Sequence, residues 1–260
     1  MKKLLLLTFL FFTLTIFAQQ KFQLAQPLVK YKSVFFAGKT SFEVAFNQPG
    51  AEIRYTLNGS EPTEKDLLYT SPVTITKESV VNIRAVGKNY KPSETISIRF
   101  IKDGKPVREI SFSQPNEFYA KAKKNILHDN IGGFTNFSGG TWLGYDKDSV
   151  EIDITLTKRQ KINSVSVELL QDEGSWIFFP EQIVMYYFDH RSNAYYPVGK
   201  EVFFQEGPSP KQCSIRELVP TKEIKTDKLM LVFQVLKKIP DWHTGKGNHA
   251  WMFIDEVKVY

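Results

Sequence analysis

The chain has 260 residues, of which 42% are hydrophobic, 14% aromatic and 24% charged, and it carries a formal net charge of +6. That composition supplies apolar surface for one large or two small folded domains and excludes a disordered or collagen-like chain. One cysteine, Cys213, excludes an intrachain disulfide framework, and the short basic clusters Lys121–Lys124, Lys158–Lys161 and Lys237–Lys238, interleaved with acids and lacking any recognition motif, exclude nucleic acid as a partner.

Met1-Lys2-Lys3 precedes an unbroken apolar or hydroxyl run from Leu4 to Phe17, followed by Ala18-Gln19-Gln20. A basic start, a run short for a bilayer and a small residue at the cleavage position predict a signal peptide over residues 1–19. The chain is therefore expected to be secreted or periplasmic, with no membrane span after cleavage; an uncleaved anchor is the alternative. No cysteine follows the run, so a lipid anchor is not indicated.

From there the apolar period is two. Ile53, Tyr55 and Leu57 alternate with polar residues, as do Val81, Ile83 and Ala85. The same rhythm runs through Val150, Ile152, Ile154 and Leu156, then Val165-Val167-Leu169, Leu229-Leu231-Phe233-Val235 and Val257-Val259. Asn58-Gly59, Gly132-Gly133, Gly139-Gly140 and Gly207-Pro208 mark turns between strands. No window offers a long amphipathic helix, so the predicted fold class is all-β. The polar segment Lys102–Pro106 divides the chain into residues 20–103, enough for a small Ig-like sandwich, and 104–260, enough for a jelly-roll sandwich.

Two stretches carry a family resemblance. Ile53–Thr63, ending Ser60-Glu61-Pro62-Thr63, and the following Leu68–Ile75 resemble the fibronectin-associated, chitobiase C-terminal-like domain. Asn130–Gly133, Gly140–Tyr145, Val150–Ile154, Gln171–Pro180 and Pro240–Val257 together resemble the discoidin-like (F5/8 type C) module at the C-terminus of Bacteroidetes-type β-hexosaminidases. The resemblance implies an Ig-type sandwich followed by a discoidin-like, carbohydrate-binding jelly roll. In that family a catalytic (β/α)₈ barrel of roughly 250 residues precedes these modules, and no such segment lies between the predicted signal peptide and the first module. The expectation is a non-catalytic accessory protein that recognises N-acetylhexosamine- or galactose-type glycans. The alternatives are a scaffold without sugar binding, or a partner of a separately encoded glycoside hydrolase.

Rim loops of such a module bind sugars by stacking rings on the apolar sugar face and bonding hydroxyls with polar side chains. Trp176 and Trp242, in loops beside Asp172, Asp241 and His243, are the predicted sugar-binding residues. Tyr55, Tyr69, Trp142 and Trp251 read as core. The resemblance further implies one structural calcium, with Asp129 and Glu256 as matching ligands and Thr135 or Asn136 as further donors. Zinc on Asp241, His243 and His249 is a second metal reading, resting on loop spacing alone. Asp255-Glu256 is not a hydrolytic pair, because neighbours on a strand are expected on opposite faces.

Overall fold

The structure, a computed structural model, describes residues 21–120 and 125–260; the predicted signal peptide lies outside the described residues. Among the described residues there are seventeen strands and four single-turn 3₁₀ segments, and no α-helix. The all-β reading holds.

Eight strands precede Asp103: β1 (Leu28–Tyr31), β2 (Phe35–Phe36), β3 (Thr40–Ala45), β4 (Glu52–Thr56), β5 (Leu67–Leu68), β6 (Val73–Ile75), β7 (Ser79–Val86) and β8 (Ile96–Lys102). They form two sheets, ordered β1-β3-β6 and β2-β8-β7-β4-β5, around a core with Phe42 at its centre. Phe42 meets Tyr55 edge-on at 5.9 Å and stacks on Phe100 and Tyr69 at 6.1 and 6.4 Å, so both tyrosine rings pack inward. The Tyr69 hydroxyl accepts the N–H of Val44, which gives its polar end a partner. At the Asn58-Gly59 turn, Gly59 has φ +79°, a conformation that glycine adopts without steric cost.

Nine strands follow: β9 (Val107–Phe112), β10 (Leu143–Tyr145), β11 (Ser149–Ile162), β12 (Val165–Gln171), β13 (Gln182–Asp189), β14 (Ala194–Val202), β15 (Gln212–Leu218), β16 (Ile224–Gln234) and β17 (Met252–Val259). Their sheets run β14-β13-β16-β11-β9 and β10-β17-β12-β15. The inward residues of β11 and β16 are those the alternation predicted, and they fill a core shared with Val165, Val167, Leu169 and Ile254.

The alternation fails on β12 and β17, where every residue is buried. The outer face of their sheet is covered a second time. At one end Trp142, Leu170, Ile177 and Phe253 form a small core under Tyr119, Phe137 and Trp251. At the other end the N-terminal sandwich sits on it. There the Ser33 hydroxyl accepts the N–H of Gly132 at 3.1 Å, and the ammonium of Lys258 lies 5.7 Å from the Phe35 ring centre. The junction is pinned as well, because Lys105 N–H donates to the Val259 carbonyl and the Tyr260 hydroxyl donates to that of Lys102.

Gly133 is fixed by this double cover. Its N–H donates to Glu168 at 2.9 Å, and a Cβ there would stand 2.0 Å from the buried indole of Trp142. Overpacking of this kind costs about 1–3 kcal/mol. Gly133→Ala is therefore expected to lower the melting temperature by roughly 2–4 °C for each kcal/mol lost. Gly139→Ala, whose Cβ would meet nothing within 4 Å, should leave it unchanged; equal melting curves for the two variants would refute this packing.

Candidate binding pocket and buried acid cluster

β14 and β15 are edge strands of opposite sheets, and the 203–211 loop that joins them closes a cavity of about 380 Å³ at the open side of the sandwich. Arg216 of β15 projects between two rings, its guanidinium carbon 4.7 Å from the centre of Phe179 and 5.2 Å from that of Phe203. Glu201 of β14 faces it at 3.8 Å, and burial holds the Glu201 carboxyl above the ordinary glutamate range, against the lowering pull of Arg216. Arg216 Nε and Glu201 Oε2 are both buried, and among the described residues neither has a hydrogen-bond partner. A buried donor and a buried acceptor left without partners are each costly.

The wall is a relay of amides. Gln212 donates to Gln171, Gln171 donates to Glu173, and Glu173 accepts the N–H of Ser209, which holds the closing loop. Phe204 lines the same cavity and is 77% exposed. The pocket thus offers a planar cation, a carboxylate, amide groups and an open ring: donors, acceptors and a stacking face for a polyhydroxylated ligand.

The residues predicted from the sequence surround this pocket more than they line it. The Trp242 indole packs on Phe178 and His243 at 6.2 and 5.6 Å, and its N–H donates to the carbonyl of Gln205. It therefore braces the pocket loop from behind, with its ring partly buried. His243 Nδ1 accepts the N–H of Gly245, and the ring is turned edge-on to Phe178. Asp172 is buried, paired with Lys211 at 2.7 Å and bonded by the Ser175 hydroxyl, which leaves little of it for a ligand. Asp241 is exposed and makes no hydrogen bond or ion pair among the described residues. Trp176, at φ +62° and 39% exposed, lies over Gly245 and remains a ring open to solvent. Arg216, Glu201 and Phe204 were missed.

Asp129 and Glu256 do come together, since both accept the N–H of Ile131, at 2.9 and 3.2 Å. The donor set nonetheless does not fit the expected calcium. The ammonium of Lys258 stands 2.7 Å from Glu256 Oε2 and 2.9 Å from both Asn130 Oδ1 and Asp103 Oδ1. A fixed cation thus occupies the centre of the oxygens a hard metal would need. Thr135 and Asn136 contribute nothing to this cluster; Asn136 instead accepts from Ser138. The zinc reading finds no support either, as His249 bonds Ala250 and Asp148 while His243 is capped by Gly245.

Asp255 and Glu256 are also not on simple opposite faces. The register steps from Val167↔Val257 to Leu169↔Ile254, a bulge that sets both acids against the single residue Glu168. All three are buried. Burial pushes Asp255 up to about 10, with Glu168 and Glu256 adding to the rise, and Glu168 up to about 7. Glu256 also rises to about 7, again mainly through burial and against the pull of Lys258.

Residues 32–97 match the family model described as "Chitobiase/beta-hexosaminidase C-terminal domain", as the resemblance read from β4 to β6 implied. No curated protein matches the chain. Among solved structures, the chain is similar to a family 32 carbohydrate-binding module of Streptococcus pneumoniae EndoD at 14% identity, covering 59% of this chain and 93% of that one with a TM-score of 0.37. It is also similar to the CBM32-1 and CBM32-2 domains of Clostridium perfringens ZmpB in complex with GalNAc, at 13% identity, 59% and 33% coverage and a TM-score of 0.38. A Ruminococcus gnavus GH29 fucosidase in complex with fucose matches at 16% identity and a TM-score of 0.37 over 58% of this chain, which covers 25% of that enzyme's length.

Two outcomes follow from the acid cluster. Because Glu168, Asp255 and Glu256 bind protons more tightly folded than unfolded, their contribution is fully present below the unfolded values near 4. It is lost as pH rises through about 7 for the glutamates and about 10 for Asp255. His128, which faces Lys258, Asp129 and Asp103 and is lowered by burial, acts in the opposite direction. Asp255→Asn should therefore flatten the fall in melting temperature between pH 5 and 9 relative to wild type; parallel profiles would refute the cluster's role. For the cation position, millimolar calcium and excess chelator should each leave the wild-type melt unchanged, whereas Lys258→Met should lower it, more at pH 8 than at pH 5.5. A calcium-dependent rise of several degrees in wild type would restore the metal.

Proposed function

We propose that the chain is an exported, non-catalytic carbohydrate-binding protein, and that its glycan contacts Arg216, Glu201 and Phe204 in the pocket between β14 and β15. The observation that carries this reading is the Arg216–Glu201 pair, partly exposed on the wall of a cavity beside the open ring of Phe204. Neighbouring hydroxyls of a pyranose can bond the exposed parts of this pair, one accepting from the guanidinium while the next donates to the carboxylate. Phe204 then offers a face to the sugar's C–H groups, and the Gln212 side-chain oxygen, whose nitrogen is held by Gln171, is open to a further hydroxyl or an N-acetyl N–H. The resemblance favours N-acetylhexosamine- or galactose-type units, with a separately encoded glycoside hydrolase as partner.

Several observations support the non-catalytic and exported parts of the reading. The two carboxylates joined by the β17 bulge are shut in a double-sided core with no opening for a scissile bond between them, and the matched family domain at residues 32–97 is an accessory one. The basic-apolar start of the sequence supports export. No helix among the described residues is long and apolar enough to cross a membrane.

Hydrogen bonds to a charged group contribute about 1.5–3 kcal/mol, so Arg216→Met, which keeps most of the packing between Phe179 and Phe203, should weaken glycan binding by roughly ten- to a hundredfold. Glu201→Gln should weaken it less. Glycan-array screening followed by titration of the best ligand measures this. Wild-type affinity in Arg216→Met would remove the pocket, and an array with no signal would leave the scaffold reading in its place.

A further inference from the structure

Between the two sandwiches lies an open cleft of about 470 Å³, on the face of β12 and β15 that the N-terminal sandwich covers. Its size falls in the roughly 300–1,000 Å³ range of small-molecule sites. Tyr31, Ser97 and Ile98 line it from one sandwich, and Thr135, Glu168 and Ile215 from the other. Glu168 is only 3% exposed and uses Oε2 to accept the N–H of Gly133, and no donor among the described residues reaches its other carboxyl oxygen. The Tyr31 ring is 43% exposed and held edge-on by Phe100 at 5.6 Å. Tyr31, Ser97 and Thr135 are exposed, so their hydroxyls are open to a ligand in the cleft. An aromatic face, aliphatic walls, three hydroxyls and one inward carboxyl oxygen are the complement of a hydroxylated ring.

The charge around the cavity selects the ligand further. Behind Glu168 lie the buried Asp255 and Glu256, and the only ammonium near them among the described residues, Lys258, is already held by Glu256, Asp103 and Asn130, so a carboxylate brought to the inner end would lose its water without gaining a free cation. Arg99 on the wall is committed to Glu78 at 2.8 Å, with Glu217 at 3.9 Å, and Lys32 stands exposed at the mouth. Anionic sugars are therefore disfavoured at the inner end.

We propose that this cleft between the sandwiches is a second carbohydrate site, taking a neutral pyranose that lies on Tyr31 and donates a hydroxyl to Glu168. It rests on the reading that the protein binds glycans, and makes the molecule bivalent within one chain. Each site then engages a separate residue of a branched or clustered glycan, so affinity for multivalent ligands exceeds that of either site alone.

Ligand-observed NMR titration with galactose, N-acetylgalactosamine, N-acetylglucosamine and glucuronic acid, on wild type and on Tyr31→Ala, Glu168→Gln and Arg216→Met, tests it. Glu168→Gln keeps an acceptor for Gly133 and so preserves the fold, and melting temperatures control for Tyr31→Ala. The expected result is two-site binding of a neutral sugar in wild type. One site should weaken about tenfold or more in both Tyr31→Ala and Glu168→Gln, the other in Arg216→Met, with glucuronic acid excluded from the cleft. Unchanged binding in Tyr31→Ala and Glu168→Gln overturns the cleft site, and glucuronic acid binding that those two variants abolish overturns its assignment to a neutral pyranose. A loss confined to Arg216→Met leaves the β14–β15 pocket standing alone, a loss confined to the cleft variants removes that pocket instead, and no binding of any sugar overturns both.

Discussion

The structure turns on one sheet, β10-β17-β12-β15, being covered on both faces. A sheet in a sandwich ordinarily buries one face and wets the other. Here the outer face receives the Trp142 cluster at one end and the N-terminal sandwich at the other, so β12 and β17 have no solvent side. The polar side chains that belong on a wet face are consequently sealed in. Glu168, Asp255, Glu256 and Lys258 must satisfy one another or hold protons, because isolated charge is too costly there.

That constraint explains why the expected metal ligands come together without being a metal site. Asp129, Asn130, Asp103 and Glu256 converge because the loop before Gly132 has to tuck under the N-terminal sandwich, and a cation is required wherever so many oxygens meet. Lys258 supplies it covalently, from the same strand as Glu256 and two residues away. The same ammonium reaches Asp103 at the junction and the Phe35 ring beyond it, so one charge serves the core of one sandwich and its attachment to the other.

How much of this was legible in the sequence depended on how local the cause was. The inward positions of β11 and β16 could be read directly, because one covered face gives a clean alternation. Gly59 declared its turn through the backbone conformation only glycine adopts freely. The burial of Lys258 and Glu256 was illegible, since it comes from residues more than a hundred positions away. The bulge that pairs Asp255 and Glu256 with Glu168 leaves no trace in either strand's pattern. Trp242 shows a different limit: its position in a loop was correct, but which way the ring turned was decided by the Gln205 carbonyl across the pocket. Arg216 and Glu201 sit in unremarkable strands, and their meeting is a property of two sheet edges that only the assembled sandwich brings face to face.

The position of Cys213 has a consequence for its own reactivity. Its thiol lies in the cleft, donating to the Gly133 carbonyl, and burial pushes it up to about 12, with Glu168 and Asp255 adding to the rise. Thiolate is the reactive form in exchange and oxidation, and at neutral pH this group is almost wholly thiol. In an oxidising medium an unpaired cysteine ordinarily invites mixed disulfides and covalent dimers. Here the same packing that joins the two sandwiches favours the protonated, less nucleophilic form of this thiol.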